Sequence, residues 1–177
     1  MRQLCVLAVA LVASAVLIPS TAVAIDVIAL PGIRVTGGAV WHLEPERDLV
    51  GCLDVLPNIQ VIDPDGDVYF TMMLGYGFEG GGDTHLFLIG ADLGLLPDRH
   101  FGVSVGLRGA LGAVESAFGG GVRAVAGLDL WYGVFRLETG YQFLGSDHGG
   151  EHDVRVSAGV DLLRLMVAPF LAMAEDL

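Results

Sequence analysis

Two short stretches hold side chains able to do chemistry. Asp147-His148-Gly-Gly-Glu151-His152-Asp153 packs two imidazoles and three carboxylates into seven residues, a donor set that suits a transition metal. Its glycines leave the geometry unspecified, so the sequence favours an exposed polar loop, with metal ligation by Asp147, His148, Glu151 and His152 as the alternative. Asp63-Pro-Asp65-Gly-Asp67 has oxygen-bearing side chains at alternate positions, like the start of a calcium loop. The bidentate glutamate that closes such a loop is missing, and an acidic hairpin turn explains the same residues. Nucleophilic catalysis needs a nucleophile, a base and an orienting group close in space. Ser104 and Ser157 are candidate nucleophiles and His42 and His85 candidate bases, but no spacing pairs them. The sequence therefore reads as non-enzymatic and implies no cofactor.

The elements that must position these residues alternate with a period of two, the signature of strands. Residues 101–113 run Phe-Gly-Val-Ser-Val-Gly-Leu-Arg-Gly-Ala-Leu-Gly-Ala, with apolar side chains at odd positions, Gly109 apart, and glycine, serine, arginine or alanine at even ones. The same pattern marks residues 33–43, 68–79, 85–96, 121–132, 134–144 and 154–162. Residues 165–173 are a weaker strand, because Pro169 would remove a ladder hydrogen bond from its middle. A short strand over 58–63, turned into the next by Pro64-Asp-Gly-Asp67, would keep long and short connections alternating. The longer connections are expected at 79–84, 114–120 and 145–153. Membrane barrels of a single bacterial chain have even strand counts, so eight strands are favoured and ten is the alternative.

If the apolar faces point to lipid, the opposite faces carry Arg34, Arg108, Arg123, Arg136 and Arg155 with Asp92, Asp129, Glu138 and Asp161. An eight-stranded barrel is filled by its own side chains, and desolvated charges inside it must be paired. Arginine suits that role, since its planar fork grips a carboxylate at two points. The expected interior is a plugged, ion-paired core. Gly102, Gly106 and Gly112 then read as space left for those side chains.

Composition agrees with such a chain. Hydrophobic residues make up 53% and the mean hydropathy is +0.63, yet beyond the N-terminus no apolar run is long enough for a spanning helix. Residues 1–24 read as a secretory signal peptide: Arg2, an apolar run over 4–18, and Ala22-Val-Ala24 as a cleavage site. Residues 25–177 are then one domain. Net charge is -12, and all nine basic residues are arginine, which argues against nucleic-acid binding. Past the leader only Cys52 remains, so no internal disulfide is available. It reads as a partly buried free thiol, with pairing between chains as the alternative.

The leader, the glycine-rich alternating strands, the interior charges and the aromatics near strand ends (Trp41, Phe101, Trp131, Tyr132, Phe135, Phe143) together resemble the small outer-membrane β-barrels of the OmpA and OmpX type. The resemblance implies an all-β, antiparallel up-and-down transmembrane barrel in a bacterial outer membrane. It implies outer-membrane lipid and lipopolysaccharide as partners, a monomer, and a role in envelope structure or surface contacts. Members of that family typically end on an aromatic residue of the last strand; this chain ends Ala-Glu-Asp-Leu177, with its last aromatic at Phe170. The competing reading is a secreted or periplasmic soluble barrel binding an apolar ligand, in which every face inverts. A small pore or a lipid-modifying barrel is a further alternative.

Overall fold

The alternating segments become the staves of a closed wall in the computed structural model, which describes residues 28–43, 49–63, 68–80, 84–98, 100–114, 117–131, 133–146 and 149–175. The signal peptide expected over residues 1–24 lies outside them. Eight strands follow in chain order: β1 (Ile28–His42), β2 (Val50–Ile62), β3 (Val68–Glu79), β4 (Thr84–Asp98), β5 (Phe101–Val114), β6 (Ala117–Leu130), β7 (Phe135–Ser146) and β8 (Gly149–Asp161). Each pairs antiparallel with the next, and β1 pairs with β8 to close the barrel. The count is eight, so the ten-stranded alternative falls.

The faces sort by polarity. Leu107 is 61% exposed on the outside, whereas Arg108, the next residue, is 0% exposed inside. Phe70, Met72, Leu74, Tyr76, Phe87, Ile89, Leu93, Val103, Val105, Leu137 and Tyr141 likewise face outward. Arginines, carboxylates and small polar side chains face inward, beside an apolar cluster of Leu56, Met73, Leu86, Leu88, Ala110, Val114 and Leu144.

Three expectations need correction. The strand expected over 58–63 is longer, running as β2 from Val50 to Ile62. Its alternation is disguised because Cys52 and Leu56 share the inner face with Asp54, Asn58 and Gln60. Pro57 has no N–H to give, and the β2·β3 register passes from Val55↔Tyr76 to Asn58↔Met73 without pairing the residues between.

The strand expected over 165–173 is instead a helix, α1 (Leu162–Glu175). That segment shows no alternation, and Asp161 caps it: its Oδ1 accepts the Arg164 N–H at 3.2 Å, the contact an N-cap makes with its N3 residue. The objection raised by Pro169 to a strand was sound, and the residue sits within the helix.

The expected alternation of long and short connections also fails. Two residues, 115–116, join β5 to β6, and two, 147–148, join β7 to β8. Glycines read as loop lengthen the wall instead, with Gly119↔Gly112 and Gly150↔Gly145 in register.

Strands β1, β3, β5 and β7 end at one rim of the barrel, the mouth. Strands β2, β4, β6 and β8 end at the other, the floor, where α1 follows β8. At the floor the chain turns sharply between β6 and β7, where Trp131 has a φ of 49° and Gly133 one of 72°. The Val134 N–H donates to the Trp131 carbonyl at 3.0 Å to close this turn.

Candidate functional site: the ion-paired interior

Every arginine among the described residues is inside the barrel and at most 5% exposed: Arg34, Arg108, Arg123, Arg136, Arg155 and Arg164. Seven buried carboxylates accompany them: Asp54, Glu79, Asp92, Asp129, Glu138, Asp153 and Asp161. All nine residues expected inside are there. Five further ionic members join them, Asp54, Glu79, Asp153, Arg164 and the half-buried His42, of which the alternation in sequence puts only Glu79 and His42 on the inner face.

The middle of the barrel is the most densely paired. Arg136 reaches three carboxylates: Nε to Glu138 Oε2 at 3.0 Å, Nη1 to Asp129 Oδ2 at 3.0 Å and Nη2 to Asp92 Oδ2 at 2.8 Å. Arg108 grips Glu138 at two points, Nη1 to Oε1 and Nη2 to Oε2, both 2.8 Å. Asp92 is shared in turn by Arg136, by Arg34 at 3.3 Å and by Arg108 at 3.7 Å. Tyr69 donates its hydroxyl to Asp129, and Ser157 donates to Glu138 at 3.3 Å. Two glycines make the room: a Cβ on Gly106 would meet the Asp92 carboxylate, and one on Gly127 the Arg136 guanidinium.

Toward the mouth, Asp54 Oδ2 accepts from Arg123 at 2.9 Å and Arg155 at 2.6 Å. The same two guanidinium groups reach Glu79 Oε1 at 3.3 and 3.4 Å. Gln142 ties this group together, accepting from Arg123 Nε at 3.0 Å and donating to Glu79 and Asp153. At the floor, Asp161 accepts from Asn58 Nδ2 at 3.0 Å while Asn58 Oδ1 accepts from Arg164 at 3.0 Å. Arg164 sits outside the strands, and burial pushes its guanidinium down to about 10, with Asp161 acting in the opposite direction.

The loop residues fare differently. Asp65, Asp67, Asp147 and His148 lie outside the described residues. Asp63 starts the β2–β3 turn, its N–H donating to Val68 O at 2.9 Å. Glu151 and His152 do not converge, because both belong to β8 and successive side chains take opposite faces. His152 is outside, bonded to Tyr141 and 4.8 Å from the Phe143 ring. Glu151 instead comes together with His42 and Asp153.

The candidate catalytic groups are separated as well. Ser104 and Ser157 are inside; His85 is outside, bonded to Tyr76 and against Phe78. Cys52 is a buried free thiol.

An interior of this kind can fix the shape of the wall and exclude water by its own side chains. Comparison with protein-family models, with curated proteins and with solved structures gives no significant match.

Proposed function

We propose that this chain is a non-enzymatic outer-membrane β-barrel whose plugged, ion-paired interior makes it a rigid envelope component that meets its surroundings through its outer wall and mouth. The observation that carries the reading is the polarity of the closed barrel. Large apolar side chains cover the outside, from Trp41 and Phe70 to Leu107 and Phe143, while the described arginines are all within. In water such a surface would be a large exposed apolar patch, which soluble monomers rarely carry. Facing hydrocarbon it is the favourable arrangement, and a closed barrel leaves no strand edge unpaired.

Strand length supports the same reading. Each strand has 12 to 15 residues, more than the roughly 9 to 11 that a tilted strand needs to cross a bilayer. No described helix is long and apolar enough to cross, so on this reading the strands alone span. The partners are outer-membrane lipid and lipopolysaccharide, nucleic acid is not among them, and the barrel acts as a monomer. A soluble barrel holding an apolar ligand would need the apolar face inside.

Cell fractionation tests the proposal. The mature protein is expected in the outer membrane, extracted only by detergent, and to migrate differently on a gel before and after boiling. Release into the soluble periplasmic fraction would overturn it.

A further inference from the structure

At the mouth, the seam between β1 and β8 sets His42 directly against Asp153 in register, and the inner face of β8 brings Glu151 to the same place. One ligand atom from each of the three lies within 4.8 Å of the other two. We propose that His42, Glu151 and Asp153 form a binding site for one borderline divalent cation of the zinc type. The inference needs only the closed barrel, and does not depend on the medium around it.

The donor set is one imidazole nitrogen with two carboxylate oxygens. Three protein ligands with a further position left for water is the pattern of an open zinc site. Mixed nitrogen and oxygen donors select such a cation over calcium or magnesium, which take oxygen ligands alone. The side chain of His42 is 12% exposed and that of Asp153 is 0% exposed, so the site is anchored within the wall and reachable from the mouth. Zinc ligands at about 2.0 to 2.2 Å stand roughly 3.3 Å apart in a tetrahedral site. His42 Nδ1 and Asp153 Oδ1, now 2.7 Å apart, must open slightly to admit the ion while Glu151 closes in. Both changes are side-chain rotations on a fixed sheet.

Charge gives an independent reason. Deeper in the barrel each buried carboxylate is reached by an arginine. Asp153 is as deeply buried, yet among the described residues its partners are His42 and, through Oδ2 at 3.0 Å, Gln142. Neither is a permanent cation. A buried carboxylate requires a positive counterpart, and a metal held by His42 supplies it without displacing any arginine. The Gln142 amide then orients the coordinating carboxylate from behind, as outer-shell partners do.

The test is calorimetric titration of the purified, folded full chain after stripping with a chelator, using Zn²⁺, Ca²⁺ and Mg²⁺ separately. One Zn²⁺ per chain is expected, bound more tightly than either hard cation. His42→Ala should weaken it by more than the roughly 10- to 100-fold that loss of an outer-shell partner costs. His152→Ala, on the outer face, should leave it unchanged. Asp153→Asn provides a second variant, and Co²⁺ absorption of the native chain reports the coordination geometry, tetrahedral against octahedral, without any substitution. Absence of Zn²⁺ binding, Ca²⁺ or Mg²⁺ binding as tightly as Zn²⁺, survival of the site in a folded His42→Ala protein, or its loss in His152→Ala would each overturn the proposal.

Discussion

Arg108 and Arg123 stand directly opposite one another on β5 and β6, two like charges on one interior face. Cross-strand neighbours have Cβ atoms about 4.5 to 5.5 Å apart, and like charges so placed are destabilising. The barrel resolves this by sending them to different carboxylates. Arg108 is gripped by Glu138 on β7, whereas Arg123 reaches Asp54 on β2 and Glu79 on β3. The pair therefore marks the division between the middle and mouth groups of charges.

Removing one member of the middle group strands the others. Arg136→Met is expected to cost about 3 to 5 kcal/mol, because it withdraws a cation shared by Asp92, Asp129 and Glu138. Denaturant unfolding measures the loss. Adding Glu138→Gln to that variant should cost less than the two single changes summed, since the carboxylate it neutralises has already lost a partner.

Arg164 should behave otherwise. Burial lowers its pKa to about 10, so in the folded state desolvation outweighs its pairing with Asp161. A base depressed from 12.5 to about 10 contributes destabilisation at all pH values below about 10, relieved as the pH rises from there toward 12.5. Arg164→Met is thus expected to cost less than Arg136→Met in the same unfolding assay at neutral pH, because the desolvation it relieves offsets part of what Asp161 loses. A loss as large as that of Arg136→Met would refute this ranking.

The end of the barrel depends on a cap. Asp161→Ala should destabilise α1 by about 1 kcal/mol and reduce the helical circular-dichroism signal, whereas Asp161→Asn, which keeps a capping oxygen, should largely preserve it.

Space inside the wall is as specific as charge. Gly106→Val would drive side-chain atoms into the Asp92 carboxylate, an overpacking expected to cost about 1 to 3 kcal/mol. Unfolding of the variant with its β-sheet signal intact beforehand would read this directly.

Cys52 offers a probe of closure. It is 7% exposed on the inner side of β2, so a maleimide should label it slowly in the folded protein and rapidly after denaturation. Equal rates would contradict the placement.

Much of this interior was legible from pattern alone. Arg34, Arg108, Arg123, Arg136 and Arg155 each stand in a segment whose alternate positions are apolar, so period two assigns them a common face. Asp54 was missed because Cys52, Leu56 and Pro57 blur the alternation of β2. Asp153 was missed because its glycine- and histidine-rich surroundings read as loop. Asp161 was correctly placed inside, but its second task as a helix cap depends on Leu162 onward leaving the sheet. The pairing of His42 with Asp153 spans 111 positions in sequence, and only the register of the closing seam determines it. Periodicity reports which way a side chain points; it does not report which distant strand it meets.

That separation governs the order of events in folding. Arg155 of β8 bonds Asp54 of β2 across 101 positions, and Asn58 bonds Asp161 across 103. Until the eighth strand arrives, Asp54 and Glu79 share the guanidinium of Arg123, and their second arginine, Arg155, has not yet been delivered. A partly built sheet therefore leaves two mouth carboxylates on one arginine, and the second cation comes only with the final stave. In this molecule the pairs made by Arg155 act as a latch: they engage when the circle is complete, and opening the β1·β8 seam must release them together with the His42–Asp153 contact.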